Sequence, residues 1–380
     1  MRVALVTNLC THYRRPLFEE LGRRFDLSLF LTSDASEWYW PSANDVRPRG
    51  LPGVVDHPRR RLVRTLARGR YDCIVAGLTG RTIVPKVFLA ARTNRLPFVL
   101  WAGLWEHPAT PFHRLSRPLT RRLYRAADAL LVYGSHVADH VAAESGRTER
   151  VFVAPQAVDN DLFRQPVSDD QLAPLHRELS LNDVPVVMYV GRLEPEKGLE
   201  TLLRASAAAT RRHTLVLVGS GSLEPELRDR AARLTPAVDV RFAGRVEQAD
   251  LPAYLGLANA LVLPSVTTTT FKEPWGLVVN EAMNCGVPVL ATDAVGAAAG
   301  GLVVDGETGL VVPERDAAAL ASALDLLLGD PALRERLGAA AAERVLELSF
   351  EASADAFERA VEAATLHRQS ARRKGVPCVS

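Results

Sequence analysis

The sequence predicts an α/β protein made of two doubly wound parallel sheets in tandem. Three observations carry this. Short apolar runs alternate with helical patterns across residues 2–154, as strands do when helices cover both faces of their sheet. The alternation breaks over 155–185, where Pro155, Asp159-Asn160-Asp161, Pro166, Asp169-Asp170, Pro174 and Pro185 crowd together, and it restarts at Val186. At 380 residues the chain is also longer than one ordinary core, so the break reads as a domain boundary.

In order, the first half reads as strand 2–7, helix 15–24, strand 26–31, a helix near 59–69, strand 72–76, helix 81–93 and strand 97–101. A long helical stretch around 114–126 follows, then strand 128–133, helix 135–145 and strand 151–154. Most of these strands carry consecutive apolar residues, as strands buried on both faces do. The second half reads as strand 186–190, helix 197–210, strand 214–218, helix 224–234, strand 238–242, helix 250–257 and strand 259–264. A short helix after Trp275 ends at Asn284-Cys285-Gly286. Strands 287–291, 302–304 and 309–312 come next, then helices 316–328 and 331–347. A last helix, 350–368, takes Ser349 as its cap. Three segments are expected: a domain over 1–165, a second over 166–349, and 350–380 as a terminal helix with a basic tail. Ligands are expected at the carboxyl ends of the strands, in the cleft between the domains.

Composition narrows the class. A hydrophobic fraction of 47% and a charged fraction of 24% are those of a soluble globular protein. No apolar run approaches the ~18 residues of a membrane span. Met1–Asn8 turns polar too soon for a secretory signal and reads as a first buried strand. Cys10, Cys73, Cys285 and Cys378 have no metal or disulfide spacing, so reduced thiols and a cytoplasmic place are expected. The excess of arginine over lysine and the abundant alanine fit a GC-rich bacterial genome. Charge is uneven: residues 1–165 hold 25 Lys and Arg against 15 Asp and Glu, the remainder 21 against 29. The first half therefore leans toward an anionic partner, and Arg59-Arg60-Arg61, Arg64, Arg68 and Arg70 are its densest basic run. A solvated helix face accounts for that run equally well.

The chemistry concentrates in the second half. Gly191-Arg192-Leu-Glu-Pro-Glu-Lys197-Gly198 follows the first strand there, where a doubly wound domain binds phosphate. Glycine lets backbone approach a ligand, Arg192 offers a fork and Lys197 a point charge. Glu273 and Glu281 flank Pro-Trp-Gly-Leu-Val-Val-Asn, which puts Glu273 just before a helix start and Glu281 about two turns inside. Exposed N–H groups between them form an anion site. Spacing alone fits any solvated helix; the preceding strand and the Pro-Trp-Gly make it specific. Leu217-Val-Gly219-Ser-Gly221-Ser222 is a second glycine turn. Phe242-Ala-Gly244-Arg245-Val246 lies at a strand end and is placed to present backbone groups to a nucleobase.

Taken in order, Gly-Arg-x4-Lys-Gly, Gly-Ser-Gly, Phe-x-Gly, Glu-Pro-Trp-Gly-x4-Glu-Ala-Met-x-Cys-Gly-x-Pro-Val-x-Ala-Thr and Asp-Gly-x-Thr-Gly-Leu-Val-Val resemble the retaining glycosyltransferases of family 4. The match is dense over ~186–350 and thinner before it. In the first half Tyr13-Arg-Arg-Pro-Leu-Phe18 and Ala127-Asp-Ala-Leu-Leu-Val-Tyr-Gly134 look like a bacterial branch of that family. The resemblance implies the GT-B fold: two Rossmann-like domains facing across a cleft, with the C-terminal helix crossing back. It implies that Glu273 contacts the hydroxyls of the donor sugar and Glu281 those of the ribose. Arg192 and Lys197 would grip the diphosphate beside Gly191, and the N–H groups of Gly276 and Leu277 would complete that cradle. Val246 would lie by the base.

Two departures from the family stand out. The loop after the first strand, Thr7-Asn-Leu-Cys-Thr-His12-Tyr-Arg14, lacks the usual glycine pair, so His12 and Arg14 become the acceptor-side candidates. The family histidine after the strand ending at Trp101, expected to be catalytic together with Glu273, falls a few residues late, on His107, with Glu106 beside it as the fallback; a loop histidine beside two tryptophans serves equally as a structural residue.

The implied function is transfer of a hexosyl or N-acetylhexosaminyl group from a nucleotide diphosphate sugar, UDP first, to an acceptor hydroxyl in glycan, glycolipid or natural-product biosynthesis. No suitably placed Asp-x-Asp pair is present, so no metal or other cofactor is expected. No nucleic acid is expected as a partner, and an anionic membrane surface on the inner face of the plasma membrane is a candidate one. A sugar-nucleotide 2-epimerase shares the fold, but the Gly-Arg-x4-Lys element argues against it. A catalytically silent nucleotide-sugar-binding partner is the other alternative. A dinucleotide dehydrogenase is disfavoured because no Gly-x-Gly-x-x-Gly follows the first strand.

Overall fold

The computed structural model describes residues 1–32, 54–56, 61–77, 82–234 and 238–373. They fall into two compact units, Met1–Ala157 together with the chain from Leu348 onward, and Val158–Glu347. In the first unit the elements are β1 (Arg2–Thr7), α1 (Arg15–Arg24), β2 (Asp26–Leu31), β3 (Val54–Asp56), α2 (Leu62–Arg68), β4 (Cys73–Gly77), α3 (Ile83–Thr93), β5 (Phe98–Ala102), α4 (Pro111–Ala126), β6 (Ala129–Val132), α5 (Ser135–Ser145) and β7 (Val151–Val153). The strands form one parallel sheet in the order β3-β2-β1-β4-β5-β6-β7. Its central strands are apolar because helices cover both faces; Leu5, Ile74, Val99 and Leu130 are sealed from water.

The second unit runs α6 (Asn160–Phe163), α7 (Asp169–Glu178), β8 (Val186–Val190), α8 (Leu199–Ala208), β9 (Thr214–Val218), α9 (Glu224–Leu234), β10 (Asp239–Gly244), α10 (Leu251–Gly256), β11 (Ala260–Leu263), α11 (Val278–Asn284), β12 (Val289–Thr292), α12 (Gly296–Ala299), β13 (Gly309–Val312), α13 (Ala317–Gly329) and α14 (Pro331–Arg344). Its parallel sheet has the order β10-β9-β8-β11-β12-β13. The two doubly wound parallel sheets are those the alternation predicts. The chain ends in α15 (Phe350–Arg373), which packs on α1 and along β6 and β7 of the first unit. Ser349 caps it by accepting the Ala352 N–H at 3.1 Å.

Several local expectations are corrected. Residues 302–304 form no strand; they follow α12 through a turn in which Leu302 and Val303 both donate to the Ala297 carbonyl. Strand β3 was not expected at all. The proline-rich stretch over 155–185 contains α7, whose Ser168 and Gln171 form a capping box that offsets Pro174 inside it. Asp169 and Asp170 are exposed in its first turn, where negative charge suits the helix dipole. Helix 197–210 is split: a 3-10 turn, Pro195–Lys197, precedes α8. Helix α11 starts only at Val278, so Glu281 sits in its first turn and not two turns in. Arg61, Arg64, Arg68 and Arg70 are exposed along and beside α2; Arg59, Arg60, Cys378 and the tail 374–380 lie outside the described residues.

Candidate active site

In the six-stranded sheet the winding reverses between β8 and β11, and the carboxyl ends of two such strands open the crevice where these sheets take ligands. The loop after β8 carries Gly191 to Gly198. The loop after β11 carries Ser265 and Glu273. Val266 donates its N–H to the Glu196 carbonyl at 2.9 Å, which ties the two loops together. Gly198 makes the approach possible: its φ is +66°, and a Cβ there would stand 1.9 Å from the Pro264 oxygen.

The approach joins the two charges that the sequence placed 76 residues apart. Lys197 Nζ donates to Glu273 Oε2. The same oxygen accepts from Ser265 Oγ at 3.1 Å. Lys197 also sits 5.5 Å from the centroid of the Phe271 ring. Glu273 is only 7% exposed, so the pair is held largely out of water, where each charge depends on the other. Arg192 is placed differently: its guanidinium meets Glu196 at 2.8 Å and stays exposed.

Glu194, within the same loop, is a functional-loop residue that sequence reasoning missed. It is buried and accepts from the Ser222 N–H at 3.0 Å and from Ser222 Oγ at 2.6 Å. With the Leu193 N–H on the Ser220 carbonyl at 2.9 Å, it pins the Gly219–Ser222 turn onto the Gly191–Lys197 loop. The only sequence signal was an acid inside one glycine motif and a serine just after another. Ser265 was missed too, because nothing local marks a serine as facing a glutamate eight residues on.

Beyond Glu273 the chain is clamped to α12. The Gly296 N–H donates to the Glu273 carbonyl at 3.1 Å and the Ala297 N–H to the Trp275 carbonyl at 2.8 Å. Trp275 is buried, and its Nε1 donates to Asn280 Oδ1 at 2.8 Å. Gly276 takes a φ of +93°, and a Cβ there would meet Leu263 at 2.5 Å; this turn is what delays the start of α11. The N–H groups of Gly276 and Leu277 have no acceptor among the described residues. Val246 is half-buried just past β10, whose Gly244 carbonyl accepts from the Gly219 N–H at 2.7 Å.

Glu281 is half-buried, and no described side chain hydrogen-bonds its carboxylate. Burial pushes its pKa up from 4.5 to about 7. A folded value above the unfolded one means the fold favours the protonated acid. This group's contribution to stability is therefore greatest below about 4.5 and is lost as pH rises through about 7. Glu281→Gln should accordingly stabilise the protein by on the order of 2 kcal/mol at pH 8, with little gain at pH 4.5. Urea unfolding at both pH values checks this, and an equal effect at the two rejects it.

In the first unit, His12 and Arg14 lie in a 3-10 turn after β1. His12 is exposed. Arg14 Nη2 donates to the Tyr133 hydroxyl at 3.0 Å and Nη1 to Asn8 Oδ1 at 3.4 Å, which joins the Tyr13-Arg14 motif to the Ala127–Gly134 motif. His107 Nε2 donates to the His113 carbonyl at 2.8 Å, so its ring is engaged at the start of α4; Glu106 beside it is exposed. Among the described residues no three His, Cys, Asp or Glu side chains are grouped to hold a metal ion, and no helix is long and apolar enough to cross a membrane.

Residues 175–344, which hold all of the second-unit candidates, match the family described as glycosyl transferases group 1. Over 267 residues the chain is 31% identical to the alpha-D-kanosaminyltransferase of Streptomyces kanamyceticus, covering 67% of each chain. The chain belongs to the group 1 glycosyltransferases. This glycosyltransferase is also 36% identical, over 66% of its length, to the D-inositol 3-phosphate glycosyltransferase of Streptomyces avermitilis, and it spans only 55% of that relative. Among solved structures, sucrose-phosphate synthase from Thermosynechococcus elongatus is 25% identical with a TM-score of 0.70, over 98% of this chain and 100% of the other. The Anabaena protein HepE in complex with UDP and glucose shares the fold at a TM-score of 0.74 and 20% identity, over 94% and 98%. The fold is therefore GT-B.

Proposed function

We propose that this enzyme is a family 4 glycosyltransferase that moves a hexosyl or N-acetylhexosaminyl group, with retention and without a metal, from a UDP-sugar to an acceptor hydroxyl. The observation that carries the reading is the Lys197–Glu273 contact at the switch point of the second sheet. Lys197 would pass its charge to the leaving diphosphate, joined by Arg192, the Gly191 backbone and the free N–H groups of Gly276 and Leu277. Glu273 would turn to the hydroxyls of the sugar and stabilise the oxocarbenium-like charge that develops on the ring. The unpaired carboxylate of Glu281 would accept from the ribose hydroxyls, and the backbone near Val246 would face the base. HepE, with the same fold, is seen with UDP and with UDP-glucose, which supports UDP as the donor base.

A diphosphate is already a good leaving group, so it needs charge more than a proton. A front-side displacement, in which the departing phosphate oxygen helps take the acceptor proton, fits that need. His12 and Arg14 are left for the acceptor side, and His107 is the second catalytic candidate. Two measurements on one preparation test the donor half. UDP at a hundredfold excess over its Kd should add about 2.7 kcal/mol of stability, and EDTA should leave turnover of the UDP-sugar unchanged. No stabilisation by any nucleotide diphosphate refutes the donor site, and a large loss in EDTA refutes the metal-free chemistry.

An anionic membrane surface as partner finds support in α4. Its sequence has five arginines, Arg114, Arg117, Arg121, Arg122 and Arg125, and no acid. Phe112, Leu115 and Leu119 are 48%, 83% and 46% exposed beside them. Arg117 and Arg121 are paired with Glu144 of α5, which leaves Arg114, Arg122 and Arg125 beside the apolar strip; exposed apolar and basic groups on one helix suit the interface of an anionic bilayer. Sedimentation with phosphatidylglycerol vesicles should bring the enzyme down at low salt, and Leu115→Glu should weaken this; equal sedimentation with neutral vesicles counts against it.

A further inference from the structure

Arg14 is a half-buried cation with no counter-charge among the described residues. Its two hydrogen-bond partners, Tyr133 and Asn8, are neutral. Its guanidinium lies 5.5 Å from the centroid of the Tyr13 ring and 5.7 Å from that of Trp101. Burial pushes the neighbouring Cys10 thiol up to about 12 and raises Tyr133 as well, so neither supplies an anion. The adjacent acid, Glu19, is bonded to Arg15 at 2.8 Å. Holding a guanidinium largely out of water without a full negative charge is costly, and two neutral hydrogen bonds and two ring contacts offset that only in part.

Arg14 Nε itself and Trp101 Nε1 are buried with no hydrogen-bond partner among the described residues, as is Thr11 Oγ1 at the start of the same turn. Trp101 is 2% exposed and Thr11 4%. Arg14 and Trp101 line one pocket, together with Tyr13, Pro155, Gln156 and Phe350. It lies at the carboxyl ends of β1 and β5, beside the β1–β4 reversal of the seven-stranded sheet.

We propose that this pocket is an anion subsite, in which Arg14 Nε–H and Trp101 Nε1–H hold a phosphate or carboxylate group carried by the acceptor. Only the identification of the ligand as the acceptor rests on the transferase reading; the anion site stands on the half-buried cation and on the unused N–H groups of Arg14 Nε and Trp101 Nε1. Arginine's planar fork suits both anions. The acceptor would thus be a phosphorylated or acidic molecule and not a neutral sugar.

The test is titration of the full-length protein with sodium phosphate, and separately sodium acetate, against sodium chloride at matched ionic strength. The indole N–H signals of the five tryptophans are followed by NMR, with Trp101→Phe used for assignment. The Trp101 signal should move saturably with phosphate or acetate and not with chloride. Arg14→Gln should abolish the shift, and Arg14→Lys should weaken the affinity at least tenfold while keeping it measurable. Glycerol 3-phosphate against phosphatidylglycerol bicelles separates a soluble acceptor from a lipid-borne one, and a Trp101 shift with either supports the subsite. A stationary Trp101 signal, or an unchanged response in Arg14→Gln, overturns it. UDP titration monitored at Trp275 is the control for folding of the variants. In the unsubstituted protein, absence of a Trp101 response with UDP binding intact removes the anion subsite alone, whereas a Trp101 response without UDP binding removes the transferase reading alone.

Discussion

Glu273→Gln should lower sugar transfer by about 10²- to 10³-fold, the scale of removing one preorganised charge from a transition state, while the protein still binds UDP. The substitution keeps the shape of the side chain and an oxygen for Ser265 Oγ, which now bonds the carboxylate at 3.1 Å. It removes the negative charge that faces Lys197. Glu273→Ala is the harsher version. It leaves the Lys197 ammonium, whose side chain is only 12% exposed, without its partner, and breaking a buried pair on one side costs about 3 kcal/mol or more. Lys197→Ala strands the Glu273 carboxylate in the same way. Comparing kcat, UDP affinity and urea unfolding across the three variants separates chemistry from stability. Near-normal kcat in a folded Glu273→Gln protein would show that the carboxylate has no part in transfer.

Asp128→Ala should cost the first unit about 3 kcal/mol or more. Asp128 is 2% exposed, just before β6. Its carboxylate accepts from the Phe98 N–H of β5 at 2.9 Å, from Arg368 Nε of α15 at 3.1 Å and from Arg92 of α3 at 3.4 Å. One buried acid thus ties three elements, including the C-terminal helix, to the start of β6. Removing it leaves Arg368, 5% exposed, deprived of that carboxylate. Asp128→Asn keeps the Phe98 bond and should lose less. Burial lifts the Asp128 pKa from 3.8 to about 6 despite the arginines. The fold therefore favours the protonated acid, and this group's contribution falls as pH rises from about 4 to about 6, then stays level. Urea unfolding followed by tryptophan emission at pH 7 measures the loss. A change within ~0.5 kcal/mol, the usual scale of surface substitutions, would show that the Asp128 carboxylate does not hold α15 in place.

Much of the fold was legible because parallel sheets advertise themselves. Strands such as Leu261-Val262-Leu263 and Val187-Met188-Tyr189 are apolar at consecutive positions, as burial on both faces demands. The misses have local causes. Val54–Asp56 is a three-residue edge strand, too short to show a pattern. Helix α7 lies in proline- and aspartate-rich sequence whose composition reads as linker; only its Ser168–Gln171 capping box marked it. Leu302 and Val303 are apolar and buried, which a strand explains as well as the turn that they form.

The sequence by itself determined which residues were candidates. Glycine turns after strands, a Gly-Arg-x4-Lys element and two glutamates before and inside a short helix are local patterns, and local geometry gives them meaning. It could not determine which candidates meet. That Lys197 rests on Glu273 while Arg192 rests on Glu196, that Ser265 and Glu194 organise the loops, and that Arg14 is half-buried against Trp101 without a carboxylate all depend on strands far apart in the chain lying side by side. Only the tertiary fold brings β8 against β11, and only burial turns an ordinary charge into one that must find a partner.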